Sequence, residues 1–194
     1  ASLAYLVLKQ RDSVGLSVFD SEIRAYLPPR STMGVLLEMD RLLTDVKPTP
    51  KTAIAKQLHD VALMMKRRSF VIVLSDFLSE ADDVLAGLEH LRFAGHNVMV
   101  LHTLDPHELE FPFEGTWQFD GLEGEEPLIT QPERIKEDYL ANLNEYLTTF
   151  RDGCVASQID YALVDTSRPL DVFLNEFFHE RESLMNGSAD RSGS

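Results

Sequence analysis

Residues 69–80 read SFVIVLSDFLSE, and the fold is decided there. Phe70 to Leu74 form an uninterrupted apolar run rich in β-branched residues. Such a run suits a strand covered on both faces, which is a central strand of a parallel sheet with helices on either side. Ser75 and Asp76 follow at once, so the carboxylate stands at the strand's C-terminal end. Ligands of open α/β sheets bind in the crevice beyond those ends, which makes Asp76 the first candidate site residue. Ser79 with Asp82 then opens a helix.

Outward from this strand, helices and strands alternate. On its N-terminal side, Ile54, Leu58, Val61, Ala62 and Met65 mark a helix with Thr52 as N-cap, preceded by the proline-broken loop VKPTPKT. Before that, Val35, Leu36, Met39, Leu42 and Leu43 predict a helix from about Ser31. SVGLSVF and EIRAYLPP, joined at Asp20 and Ser21, read as a hairpin ended by Pro28 and Pro29. Leu3, Leu6 and Val7 have helical spacing, but no capping residue leads in, so the sequence reads as opening inside a helix.

On the C-terminal side, Val84, Leu85, Leu88 and Leu91 face inward and Gly95 stops their helix. The strand HNVMVLHTLD ends in His102, Thr103 and Asp105. Residues 106–130 read as an irregular acidic, aromatic insertion with short strands near 117–119 and 128–129. Thr130 and Glu133 have capping-box spacing ahead of a long helix whose apolar face runs from Ile135 to Cys154. A strand DYALVDT and a helix capped by Ser167, with Leu170, Phe173, Leu174 and Phe177, complete the pattern. The alternation specifies a three-layer α/β domain over residues 1–186, with 187–194 as a tail.

Composition narrows the function. Thirty-two acidic against 18 basic residues give a net charge of −14, which repels nucleic acid and anionic membranes and favours a basic protein surface. No run approaches a membrane span, and no leader peptide is evident in this stretch. A single cysteine, Cys154, fits a reducing, cytoplasmic setting and reads as a buried small hydrophobe.

Four polar groups fall at strand ends: Asp20, Asp76, Asp105 with Thr103, and Asp165 with Thr166 and Ser167. Such oxygens suit a hard cation such as Mg2+, with Thr52 joining Asp76; equally, they satisfy backbone amides as strand-end and N-cap residues. His90, His96 and His102 fall on different elements, so their regular spacing does not bring them together. His102 and His107, with Glu108 and Glu110 nearby, form a local cluster of nitrogen and oxygen ligands that matches no closed zinc pattern. There is no G-x-S-x-G elbow and no glycine-rich phosphate loop, so catalysis has no positive signal. Phe111, Phe113, Trp117 and Phe119 among carboxylates offer apolar anchors with an acidic rim for a protein partner; folding back onto the core is the other reading.

Taken in order, RDSVGLSVFDSEIRAYLPPR, FVIVLSDFL, GHNVMVLHTLDPHELEFPF and DYALVDTSRPLDVFL resemble the bacterial von Willebrand factor A-like proteins of domain-of-unknown-function family fifty-eight. The resemblance covers nearly the whole chain, from Ala1 to about Phe178. It implies a Rossmann-like, mostly parallel sheet with one antiparallel edge hairpin, and an association with MoxR-type AAA+ ATPases in a binding role rather than a chemical one. It also implies a metal site in which Thr52 and Asp76 match two positions. The family's D-x-S-x-S loop has no counterpart, so the first central strand is expected to be missing from an N-terminally truncated domain. Three alternatives follow: the sheet closes up, another chain fills or covers the gap, or the natural protein extends further N-terminally; self-association follows from either of the first two if the edge stays open. The resulting functional expectation is an adaptor. The alternative is a metal-dependent hydrolase or phosphotransfer domain using Asp76.

Overall fold

The computed structural model describes residues 1–47, 53–120 and 128–177. Helix α1 (Ser2–Lys9) leads into a hairpin of β1 (Val14–Phe19) and β2 (Ile23–Arg30), followed by α2 (Gly34–Asp45) and α3 (Ile54–Met64). Next come β3 (Phe70–Ser75), α4 (Ala81–Phe93), β4 (Asn97–Leu104) and the short α5 (Pro106–Glu110). A second hairpin, β5 (Trp117–Phe119) with β6 (Leu128–Thr130), precedes α6 (Lys136–Ala156), β7 (Asp160–Asp165) and a helical stretch over 170–177.

Strands β3, β4 and β7 form a parallel sheet in that order, with Val73 beside Val100 and Val100 beside Tyr161. One face is covered by α3, α4 and α6, where Leu58, Val84, Leu88, Leu91, Phe150 and Cys154 pack on Val73, Val98 and Val100. The opposite face, through Ile72, Met99, Leu101 and Val164, meets Leu3 of α1 and Phe173 and Leu174 of the last helical stretch. The arrangement is therefore three-layered and mixed α/β. Gly87 lets α4 lie against α3, since a Cβ there would stand 3.0 Å from the Ala55 carbonyl oxygen. Gly95, at φ 89°, follows the end of α4 as expected.

The hairpin β1–β2 is a separate two-stranded sheet. Its Leu27 packs with Leu8, Val35 and Met39 in a core of its own. Two hydrogen bonds tie it to the start of α3: Ala53 N–H donates to the Asp20 carbonyl at 3.2 Å, and the buried Gln57 amide donates to the Ser21 carbonyl at 2.9 Å.

Several expectations are corrected. β3 is an edge strand of the described sheet rather than a central one, and Phe70 and Leu74 are 46% and 62% exposed. The sheet has not closed up, because β1 and β3 lie in different sheets. Pro28 and Pro29 lie within β2, which tolerates them because it pairs only with β1 among the described strands. Ser79 does not cap α4, whose first turn starts at Ala81 with Asp82 and Asp83 favouring the positive end of the helix dipole. Thr130 ends β6 instead of forming a box with Glu133, and α6 begins after a 3₁₀ turn at Pro132–Arg134. Ser167 donates its N–H and hydroxyl to Asp165. Thr52, and the boundary near 186 with its tail, lie outside the described residues.

Candidate interaction site at the C-terminal edge of the sheet

The turn after β3 is built by burying a side chain. Phe77 adopts a left-handed φ of 50°, unusual for an aromatic residue. That conformation costs about 1–2 kcal/mol. Full burial of the ring stabilises by about 1.5–3 kcal/mol, so packing wins. Its ring packs on Phe150 and His102, with centroids 5.1 and 5.2 Å away. Tyr146 donates its hydroxyl to the Phe77 carbonyl, and Ser75 Oγ accepts from Phe77 N–H at 3.1 Å.

His102, buried on β4, holds the same turn from beneath. Its Nε2 lies 2.8 Å from the Asp76 carbonyl oxygen, which can only accept, so this nitrogen carries the proton. Nδ1 then accepts from the Tyr161 hydroxyl at 3.1 Å. Burial lowers the His102 pKa and raises those of Tyr146 and Tyr161 to about 12. The polar groups behind Asp76 therefore hold the backbone of its turn in place. Among the described residues, the Asp76 carboxylate receives long contacts from Leu78 N–H at 3.5 Å and the Ser75 hydroxyl at 3.4 Å.

The other strand-end carboxylates are committed elsewhere. Asp105 caps α5 by accepting from His107 N–H at 2.8 Å, while Glu108 accepts from Asp105 N–H at 2.7 Å, closing a capping box. The His107 backbone bond, then its ring, hold Asp105 below the usual carboxylate range. Asp165 is lowered likewise by the Ser167 hydroxyl and N–H. Asp20 is buried and ion-paired with Arg24 at 2.8 Å. The half-buried Thr103 and the exposed Thr166 lie next to these ends, and Thr166 N–H donates to the Leu104 carbonyl.

Among the described residues no three His, Cys, Asp or Glu side chains gather as a metal set would. The three evenly spaced histidines diverge: His90 lies on α4, His96 is buried before β4 with Nδ1 accepting from Ser69 N–H, and His102 sits under the Asp76 turn.

The aromatic insertion divides into prop and surface. Phe111 is 6% exposed and cannot act as an open anchor. Its ring packs 4.5 Å from Tyr139 of α6, 5.1 Å from Phe113 and 6.0 Å from Phe119. Phe113 and Phe119, half-buried, join it to Trp117. On this support the β5–β6 hairpin presents Trp117 (44% exposed), Leu128 (55%) and Ile129 (68%) to solvent. Glu133 pins its approach by accepting from Gly115 N–H at 2.7 Å.

Sequence reasoning missed α5, although Asp105-Pro106 with Glu108 carries an N-cap, a proline at the first helical position and a capping-box glutamate. It also missed the His102 support and the exposed Leu128 and Ile129. Nothing local marks a histidine within an apolar strand as the prop of a neighbouring turn.

The family described as Protein of unknown function DUF58 matches residues 1–146. The chain belongs to this family. The DUF58 match takes in both hairpins, β3, the Asp76 turn and the first half of α6. Neither a curated protein nor a solved structure matches the chain. Among the described residues of this DUF58 domain, no helix is long and apolar enough to cross a membrane.

Proposed function

We propose that this DUF58 domain is a protein-interaction module of von Willebrand factor A-like, Rossmann-like type, acting in the cytoplasm as an adaptor for a MoxR-type AAA+ ATPase. The observation that carries the reading is the β5–β6 hairpin. Trp117 and Leu128 are exposed on the face they share with Phe119, and Ile129 is exposed on the opposite face of this braced hairpin. Glu114 and Asp120 flank β5, and the whole chain carries a charge of −14. Apolar anchors within an acidic surround suit a partner with an apolar pocket and a basic rim. The von Willebrand-type assignment is supported by the parallel β3-β4-β7 sheet with helices on both faces. The ATPase as partner is supported by the family resemblance.

An adaptor is preferred to a hydrolase because His102, Tyr146 and Tyr161 behind Asp76 spend their polar atoms on main-chain carbonyls and on one another. Trp117 is the sole tryptophan, so its fluorescence reads the hairpin directly. Titration with a purified MoxR-type ATPase is expected to change that emission saturably. Ile129→Ser should weaken binding about 10-fold or more, equivalent to about 1.4 kcal/mol or above. Absence of binding at tens of micromolar would sink the ATPase assignment. Binding indifferent to Ile129→Ser and Trp117→Ala would move the contact off the hairpin.

A further inference from the structure

The parallel sheet separates the charges of the chain. Each of α3, α4 and α6 runs against the strand that follows it, so their C-terminal ends and the connections 65–69, 94–96 and 157–159 lie together at the N-terminal edge of the sheet, opposite Asp76. These connections read MKRRS, AGH and SQI, with three Lys or Arg side chains and no carboxylate, in a chain whose net charge is −14.

Two contacts knit the connections into one face. Arg68 lies along Gly95, where a Cβ would stand 3.3 Å from its Nε. Arg92, in the last turn of α4, donates from Nη1 to the His96 carbonyl at 2.8 Å and from Nη2 to Gln158 Oε1 at 3.2 Å. These acceptors are neutral, as is Asn97 Oδ1, the third that Arg92 reaches. Among the described residues no ion pair involves Lys66, Arg67, Arg68 or Arg92. The flanking elements bring Glu89, which accepts from the Ser157 hydroxyl at 2.6 Å, and the half-buried Asp160. Apolar side chains protrude beside the cations. Leu63 and Val155 are exposed on the last turns of α3 and α6, and Phe93, which ends α4, is 88% exposed.

We infer that this face docks on the surface of an anionic lipid bilayer, with Lys66, Arg67, Arg68 and Arg92 at the headgroups and Phe93 and Leu63 at the acyl boundary. Protruding apolar tips among cations suit a bilayer, which receives them without the preformed pocket that a protein partner would have to supply. Each Lys or Arg close to an anionic leaflet strengthens partition by about fivefold. The acidic remainder of the chain does not cancel this attraction. The six residues of β3, at about 3.3 Å each, set Asp76 about 20 Å away, more than two Debye lengths of about 8 Å at physiological salt. The β5–β6 hairpin joins the C-terminal end of β4 to the start of α6, so docking leaves it free and does not depend on the adaptor reading.

Co-sedimentation of the 194-residue chain with phosphatidylcholine vesicles, alone or with about one-third phosphatidylglycerol, tests the face. The chain is expected to pellet with the anionic vesicles and to stay in solution with the neutral ones. Raising salt from about 0.1 M to about 1 M shortens the Debye length from about 10 Å to about 3 Å and should release it. Arg67→Glu with Arg68→Glu, both at exposed positions, should weaken partition about 25-fold or more, and Phe93→Ser about fivefold or more, with thermal unfolding retained as the check on folding. In the unaltered chain, bromine-labelled anionic lipid should leave the emission of Trp117 unquenched, because the hairpin stands at the other end of the sheet. Docking by this face is overturned if the chain binds neither vesicle, if it binds both alike, if the folded double variant keeps full binding, or if Trp117 is quenched.

Discussion

His102 Nε2 donates to the Asp76 carbonyl oxygen at 2.8 Å, so the end of β4 fixes the turn that follows β3. Removing the imidazole would leave two buried partners, this carbonyl and the Tyr161 hydroxyl, without their bond. Each such loss costs about 1–3 kcal/mol. His102→Phe is expected to lower unfolding stability by roughly 2–4 kcal/mol in urea, and His102→Gln, which can keep one bond, by less. A change below about 0.5 kcal/mol for the phenylalanine variant would mean that the turn stands without this support.

Acid should weaken the fold in two separate windows. Burial lowers the pKa values of His96 and His102, so the folded chain favours neutral imidazoles. The unfolded chain binds those protons near pH 6.5. Stability from these groups is therefore full above about pH 6.5 and is lost as pH falls through the lowered folded values. Asp105, Asp165 and Glu133, held below the usual range by hydrogen bonds, contribute a second loss below about pH 4. Urea midpoints at pH 8, 7, 6 and 5 should fall through the first window. The fall should flatten in a chain carrying His96→Gln and His102→Gln; an unchanged slope would place the titrating groups elsewhere.

Two glycines make a matched test of helix packing. Gly87→Ala gains about 1 kcal/mol in helix propensity but forces a methyl against the main chain of α3, where overpacking costs about 1–3 kcal/mol. The obstructing Ala55 atoms belong to helix backbone, so a net loss of stability is expected. Gly34→Ala meets nothing within 4 Å and should stabilise by about 0.4–1 kcal/mol. Equal effects at the two positions, read by thermal unfolding, would deny the close approach of α3 and α4.

An apolar strand at a sheet edge is a pairing hazard. Leu74 is 62% exposed on β3, so concentration-dependent self-association is expected in light scattering. Leu74→Lys should reduce it at little cost to stability, because a charge on an edge strand opposes strand addition. Association that is unaltered by this change would locate the contact on another surface.

These relationships bear on how far the sequence could be read. Apolar runs at 70–74 and 97–104 and the stripe from Tyr139 to Cys154 announced β3, β4 and α6, because burial on one or two faces leaves a period in the chain. The edge position of β3 left no such mark: a run of this kind states which surroundings a strand favours, and pairing partners come from elsewhere in the fold. The Thr130–Glu133 spacing misled for a similar reason. Glu133 spends its carboxylate on Gly115 N–H, 18 residues away, a competitor that no local pattern contains. Asp76 was legible as a strand-end carboxylate, whereas the groups that position it, His102, Tyr146 and Tyr161, lie on elements far from it in sequence.

The β1–β2 hairpin joins α3 through the Ala53 and Gln57 hydrogen bonds and shares no ladder with β3. Cooperative unfolding units follow such seams, since breaking two hydrogen bonds and a modest packing surface costs less than breaking a strand ladder. The hairpin with α2 can thus open while β3, β4 and β7 stay closed, and its amides would exchange with solvent by a sub-global route. Helix α1 spans this seam, with Leu3 on the sheet and Leu8 on the hairpin, so a partner that bridged the same seam would hold the weaker side closed without touching the stronger.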